Sequence, residues 1–133
     1  MPANHVIAIY RPKKGKAAAL LALVRSHHAR LVALGYAAPG DALVLRSPKD
    51  GTLLEIFAWR SDAHVARAHK DPAIMRLWGA FAKVCDYGTP AGLAEAESMF
   101  PHFEMVAGTK RGQAARAGAK AKAANKKPRK PKR

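Results

Sequence analysis

The side chains that could do chemistry in this chain are few: six histidines, three tyrosines, two tryptophans and one cysteine. His69 follows Ala68 at the end of a short predicted helix, just before Asp71-Pro72 turns the chain. An imidazole titrates near neutrality and can act as a general base, or it can cap the last carbonyls of a helix and offset its dipole. His27 and His28 flank the apolar stripe of a longer helix, so at least one faces the sheet and has the same capacity. Trp59 and Trp78 can stack on a planar aromatic molecule or pack a core. Tyr10 and Tyr36 offer phenols, and Asn4 offers an amide beside the first strand.

Spacing argues against a metal. His64 and His69 are five apart, about 140° around a helix, and His27 and His28 are about 100° apart, whereas two ligands from one helix sit three or four apart. Cys85 shares the stripe of Trp78 and Phe81 and reads as buried packing rather than as a nucleophile. Neither a GxxxxGK phosphate loop nor a GxSxG nucleophile elbow occurs.

The elements that would position these groups are legible from periodicity and turn chemistry. Val6 to Tyr10 read as a strand ended by Arg11-Pro12, and a helix follows over about 16 to 34, with Leu20, Val24 and Leu31 on one side and Gly35 as its stop. Ala42 to Ser47 form a second strand, joined through Pro48-Lys49-Asp50-Gly51 to a third at 53 to 60. Ser61 and Asp62 open a short helix to about His69. Asp71-Pro72 then open another, running to about Val84 with Ile74, Trp78, Phe81 and Cys85 inward. Thr89-Pro90 would open one more short helix ending near Met99, and a last strand covers 100 to 106.

The third strand is apolar on both faces: Leu54, Ile56 and Ala58 point one way, and Leu53, Phe57 and Trp59 the other, interrupted by Glu55 alone. A sheet in a chain this short covers one face with its own helices, so the second face calls for a partner, most economically a second copy. Trp59 is assigned to that dimer face.

The order βαββ, helices, β predicts an α+β fold: a ferredoxin-like antiparallel sheet with helices on one face. The segments Phe57-Ala58-Trp59-Arg60-Ser61, Ala68-His69-Lys70-Asp71-Pro72, Leu77-Trp78 and Phe100-Pro101-His102-Phe103-Glu104 resemble the dimeric α/β-barrel superfamily, in its antibiotic-biosynthesis-monooxygenase-like branch, over roughly 4 to 106. The resemblance implies a homodimer whose sheets pair into an α/β barrel. In cofactor-free oxygenases of that group, activated aromatic substrates bind between helices and sheet. By that likeness His69 is the catalytic candidate, with Trp78, His27, His28, Tyr10 and Trp59 as substrate-binding candidates and no cofactor. The haem-degrading branch uses an asparagine on the first strand, a tryptophan on the second helix and a histidine on the third. Asn4 could fill the first place, but here the tryptophan place falls near Ala68 and the histidine place near Trp78, so haem cleavage is not implied.

The formal charge of +15 is local. Eleven of the 24 cations and no acid lie from Lys110 onward, which leaves thirteen cations against nine acids before it, a balance of +4. The expected organisation is therefore one domain over 1 to 108 and a basic tail over 109 to 133. The tail has no aliphatic larger than alanine, so it is expected to be disordered. Lys120, Lys122, Lys126, Lys127, Arg129, Lys130, Lys132 and Arg133 could neutralise phosphates, giving salt-sensitive, sequence-independent attraction to nucleic acid. No aromatic is present there to stack on bases. The lone cysteine, the absence of a signal-like segment and an apolar run no longer than Ala17 to Val24 predict a cytoplasmic chain that does not span a membrane.

The leading functional expectation is a homodimeric small-ligand domain, with cofactor-independent monooxygenation of an aromatic or quinone-like substrate as its reaction. The competing one is a non-catalytic binding module that its basic tail brings to nucleic acid.

Overall fold

In the computed structural model the described residues, 4–108, form an α+β unit. The elements are β1 (Asn4–Pro12), α1 (Ala17–Ala33), β2 (Leu43–Arg46), β3 (Leu53–Trp59), α2 (Asp62–Ala68), α3 (Pro72–Val84), β4 (Cys85–Tyr87), a 3-10 turn (Pro90–Gly92) and β5 (Glu104–Ala107). The open sheet has the order β4-β1-β3-β2-β5 and every pairing is antiparallel. Its first four strands have the ferredoxin-like arrangement, with β3 central and Glu55 opposite Ala8 on one side and Val44 on the other.

Local chemistry sets the boundaries. Gly35, at φ +84, ends α1 in a Schellman arrangement in which its N–H reaches Val32 O and that of Tyr36 reaches Leu31 O. Ser61 caps α2 by accepting from the His64 N–H, and Asp71 caps α3 by accepting from Ala73, with Pro72 at the first helical position. The β2–β3 hairpin turns at Gly51, φ +78.

Three expectations are corrected. The helix ends at Val84 as expected, but Cys85, placed on its inward stripe, begins β4 instead, although it is buried as expected. The helix expected from Thr89-Pro90 to Met99 is a single 3-10 turn, because no apolar stripe follows Gly92 to hold further turns. The last strand starts at Glu104 rather than Phe100.

A fourth correction concerns the faces of the sheet. Phe57 and Trp59 do not look toward a partner: they pack with Leu31, Ala68 and Ile74 beneath the helices, while Tyr10, Val44 and Leu53 pack with Leu20, Val24 and Phe81. The face without helices carries Ile7, Ile9, Leu54 and Ile56 instead. Because β4 and β5 lie on opposite edges of the sheet, the segment joining them crosses that face. It is fixed by Gly88 N–H to Ile9 O, by the Arg11 guanidinium on Gly92 O and by Ser47 Oγ on Glu95. Ile9 and Leu54 are buried under this strap, and Ile7 remains 55% exposed.

No helix among the described residues is long and apolar enough to cross a membrane. The tail expectation, including Lys120, Lys122, Lys126, Lys127, Arg129, Lys130, Lys132 and Arg133, lies outside the described residues.

Candidate functional site

Between the helices and the helix-covered face of the sheet is a cavity of about 470 Å3. Its walls are Val6, Ala8 and Tyr10 from β1, His27 from α1, Phe57 and Trp59 from β3, His69 at the end of α2, Trp78 and Phe81 from α3, and Tyr87 from β4. Rings dominate this wall. Tyr10 stacks on Phe81 with centroids 5.0 Å apart, and the His27 imidazole stands edge-on to Phe81 at 5.1 Å and to Phe57 at 5.8 Å. Trp78 meets Trp59 edge-on at 6.4 Å and His69 at 4.9 Å. The size and apolar lining suit a small planar molecule.

Behind the wall runs a chain of buried polar groups that reasoning on single residues missed. Glu55 is fully buried on central strand β3, and its Oε1 accepts from the Tyr10 hydroxyl at 2.7 Å. His27 Nδ1 lies 2.8 Å from the same oxygen and 3.1 Å from Oε2. On the far side of the ring, the Trp78 indole N–H donates to His27 Nε2 at 3.0 Å. Since Nε2 accepts there, the one ring proton is on Nδ1, and His27 is a neutral imidazole donating to a carboxylate that Tyr10 also supports. The charge of Glu55 is thus held by two donors, as a buried carboxylate requires. Burial foremost, then the Glu55 charge and hydrogen bond, drive the Tyr10 phenol far above its ordinary range, so it stays protonated.

His69 lies on the exposed side of the cavity, as the C-cap of α2. Its Nδ1 is 2.9 Å from Val65 O, and a carbonyl only accepts, so Nδ1 donates, and in the neutral ring Nε2 is left as an acceptor. His69 thus caps the helix through Nδ1, and its ring lines the cavity.

Of the sequence candidates, the structure brings His69, Trp78, His27, Tyr10 and Trp59 onto one wall. His28 does not join them. One residue further round α1, it is buried 5.4 Å from Phe57 and lines a second hollow of about 330 Å3 with Arg25, Asp41, Val44 and Gly108. Tyr36 is tied to Asp71 at 2.6 Å, and Asn4 to Asp62 at 2.6 Å, both away from the cavity. His64 bonds Ser61 Oγ at 2.7 Å, within the α2 cap. The Cys85 thiol is held above its ordinary range, chiefly by burial, and donates to Phe81 O. No group of three or more His, Cys, Asp or Glu among the described residues is arranged to hold a metal ion.

Glu55 and Tyr87 were not anticipated as site residues. Glu55 did leave a signal: a single carboxylate on an apolar strand face must find a buried donor, and the histidines of α1 were the available ones. Tyr87 left none, because β4 is only three residues long.

No family model matches the chain, and comparisons with curated proteins and with solved structures returned no significant match.

Proposed function

We propose that this chain is a homodimeric small-ligand-binding domain that takes an aromatic or quinone-like molecule into the cavity beside His69. The observation that carries this reading is the ring-lined cavity with two imidazoles of defined tautomer on its wall. Cofactor-independent monooxygenation is the reaction we assign to it, in keeping with the likeness to antibiotic-biosynthesis monooxygenases. His69 Nε2 would take a proton from the activated substrate, and the substrate anion would then supply the electrons that reduce O2. One oxygen atom enters the ring system and the other leaves as water. The aromatic walls exclude water from the anion, with one of the two nearly perpendicular indoles, Trp59 or Trp78, stacked on its face and the other meeting its edge.

For the dimer, the supporting observation is the half of the helix-free face that the strap leaves open, with Ile7 and Ile56 on neighbouring strands. Ile7→Lys places a charge there without touching the cavity, and light scattering should show a folded monomer. An unchanged oligomer would remove this face from the interface.

The enzymatic reading is tested by oxygen uptake with a panel of hydroxylated polycyclic arenes. Turnover should be lost in His69→Ala and kept after deletion of residues 110 to 133. Absence of both binding and turnover across the panel refutes it. A second reading, association with nucleic acid, is favoured by the eleven cations and no acid from Lys110 onward. It requires DNA affinity that falls steeply with salt and disappears with the tail.

A further inference from the structure

The consecutive histidines of α1 face different spaces. His27 stands on the wall of the ring-lined cavity, whereas His28 lines the second hollow, of about 330 Å3, beside β2 and the end of β5. Arg25 and His28 are three apart on α1 and so share a face, and Asp41 comes from the segment before β2. These three side chains carry the charge and hydrogen-bonding capacity of the hollow, and none of it is spent. The ion pairs among the described residues join Lys13 to Asp86, His27 to Glu55 and Arg46 to Glu104, so Arg25 and Asp41 line one hollow without pairing with each other. The His28 ring is only 7% exposed and makes no hydrogen bond among the described residues, which is uncommon for a buried imidazole. Its nitrogens are nevertheless not sealed in, because the fully enclosed side-chain atom without a partner among those residues is Glu95 Oε1. The His28 ring therefore opens into the hollow that it lines.

We propose that this hollow binds a small zwitterion, an α-amino acid with an aliphatic side chain, at a site separate from the ring-lined cavity. The Arg25 guanidinium takes the carboxylate, and the Asp41 carboxylate takes the ammonium group. The His28 imidazole, buried beside them, supplies a further hydrogen bond to the charged end. Val24, Val32, Ala42 and Val44 receive the aliphatic side chain. A simple carboxylate would be repelled by Asp41 and a simple amine by Arg25, whereas a ligand with both charges compensates both side chains at once. The volume lies at the small end of the range for ligand sites, which suits a molecule of this size. The inference goes beyond the aromatic-ligand reading and does not rest on it.

The test is an NMR titration of the full chain at pH 7 with L-leucine, 4-methylpentanoate and 3-methylbutylamine, which share one hydrocarbon end and differ in their charged groups. Leucine should shift the His28 ring signals and the Ala107 and Gly108 amides, and should bind about tenfold more tightly than either analogue, the effect of one added charge-assisted contact. Arg25→Gln should weaken leucine binding about tenfold and leave the amine no weaker, and Asp41→Asn should weaken leucine equally and leave the carboxylate no weaker. Both residues are exposed, so the variants should fold as the parent does. Leucine binding no tighter than that of the analogues, affinity unchanged in both variants, shifts confined to the Trp59 and Trp78 indoles, or no shift up to about 10 mM leucine would each overturn the inference. Any of these results leaves the aromatic cavity to its own test.

Discussion

Tyr10→Phe isolates one link of the buried chain at the centre of the molecule. The substitution keeps the ring that stacks on Phe81 at 5.0 Å and removes only the hydroxyl that donates to Glu55 at 2.7 Å. Glu55 is then left with His27 as its single donor in a fully buried setting. A hydrogen bond to a charged group contributes about 1.5–3 kcal/mol, so a loss of about 2 kcal/mol is expected. For roughly 100 ordered residues that corresponds to about 8 °C in Tm. Urea unfolding followed by circular dichroism, at fixed protein concentration because self-association would shift the midpoint, measures it directly. Tyr87→Phe is the internal control, since that side chain is 59% exposed and its variant should stay within about 0.5 kcal/mol of the parent.

The same phenol sets an alkaline limit. Its folded-state pKa lies above its unfolded value, so its contribution is complete below about pH 10 and declines as pH rises past that point, by at most about 1.4 kcal/mol per pH unit. Tyr10→Phe should lose this component of the alkaline slope and keep the smaller ones from Tyr36 and Tyr87, whose phenols are also raised. A Tyr10→Phe protein as stable as Tyr87→Phe, or one with the full alkaline slope, would refute the assignment of Tyr10 to the Glu55 carboxylate.

At the acid end, Asp71 is held below its ordinary range, first by the Tyr36 hydroxyl and then by the Ala73 N–H. Its contribution is therefore present above about pH 4 and is lost as pH falls through the folded-state value. Asp71→Ala should flatten that limb of a stability–pH profile and, through loss of the α3 cap, lower the unfolding midpoint at pH 7. Cys85, buried and with its thiol raised, should resist a thiol reagent such as Ellman's in the native protein and react fully in urea. Rapid labelling of the native state would contradict the packing of β4 against α3.

What could be read from the sequence was what local chemistry decides. Gly35, Ser61, Asp71-Pro72 and the Asp50-Gly51 turn each ended or opened an element where expected, because capping and positive-φ turns depend on a few adjacent residues. The strand at 53 to 59 was legible too, along with its two apolar faces. Which face meets the helices was not, since alternation sorts side chains into two sets without saying where the helices lie. The long-range partner of Glu55 resolves it: the carboxylate follows His27, 28 residues away, to the helix side and brings Phe57 and Trp59 with it. β4 was hidden because Cys85 continues the spacing of Ile74, Trp78 and Phe81, so periodicity ran through the helix end. Within the site, five of the six pocket candidates fell on one wall, whereas the network that fixes their protons needed distances no spacing rule supplies.

The strap across the helix-free face has a consequence for proteolysis. Met99 and Phe100 stand out from it at 85% and 77% exposure, in a stretch without regular structure, and present a chymotrypsin-type protease with an accessible bond. A nick there separates β5, a four-residue edge strand whose sheet partner is β2, from a remainder that retains the other four strands and every wall of the ligand cavity. The cleaved chain would thus be a receiver for short synthetic segments ending in the β5 sequence, exchangeable at that edge while the aromatic chamber stays assembled.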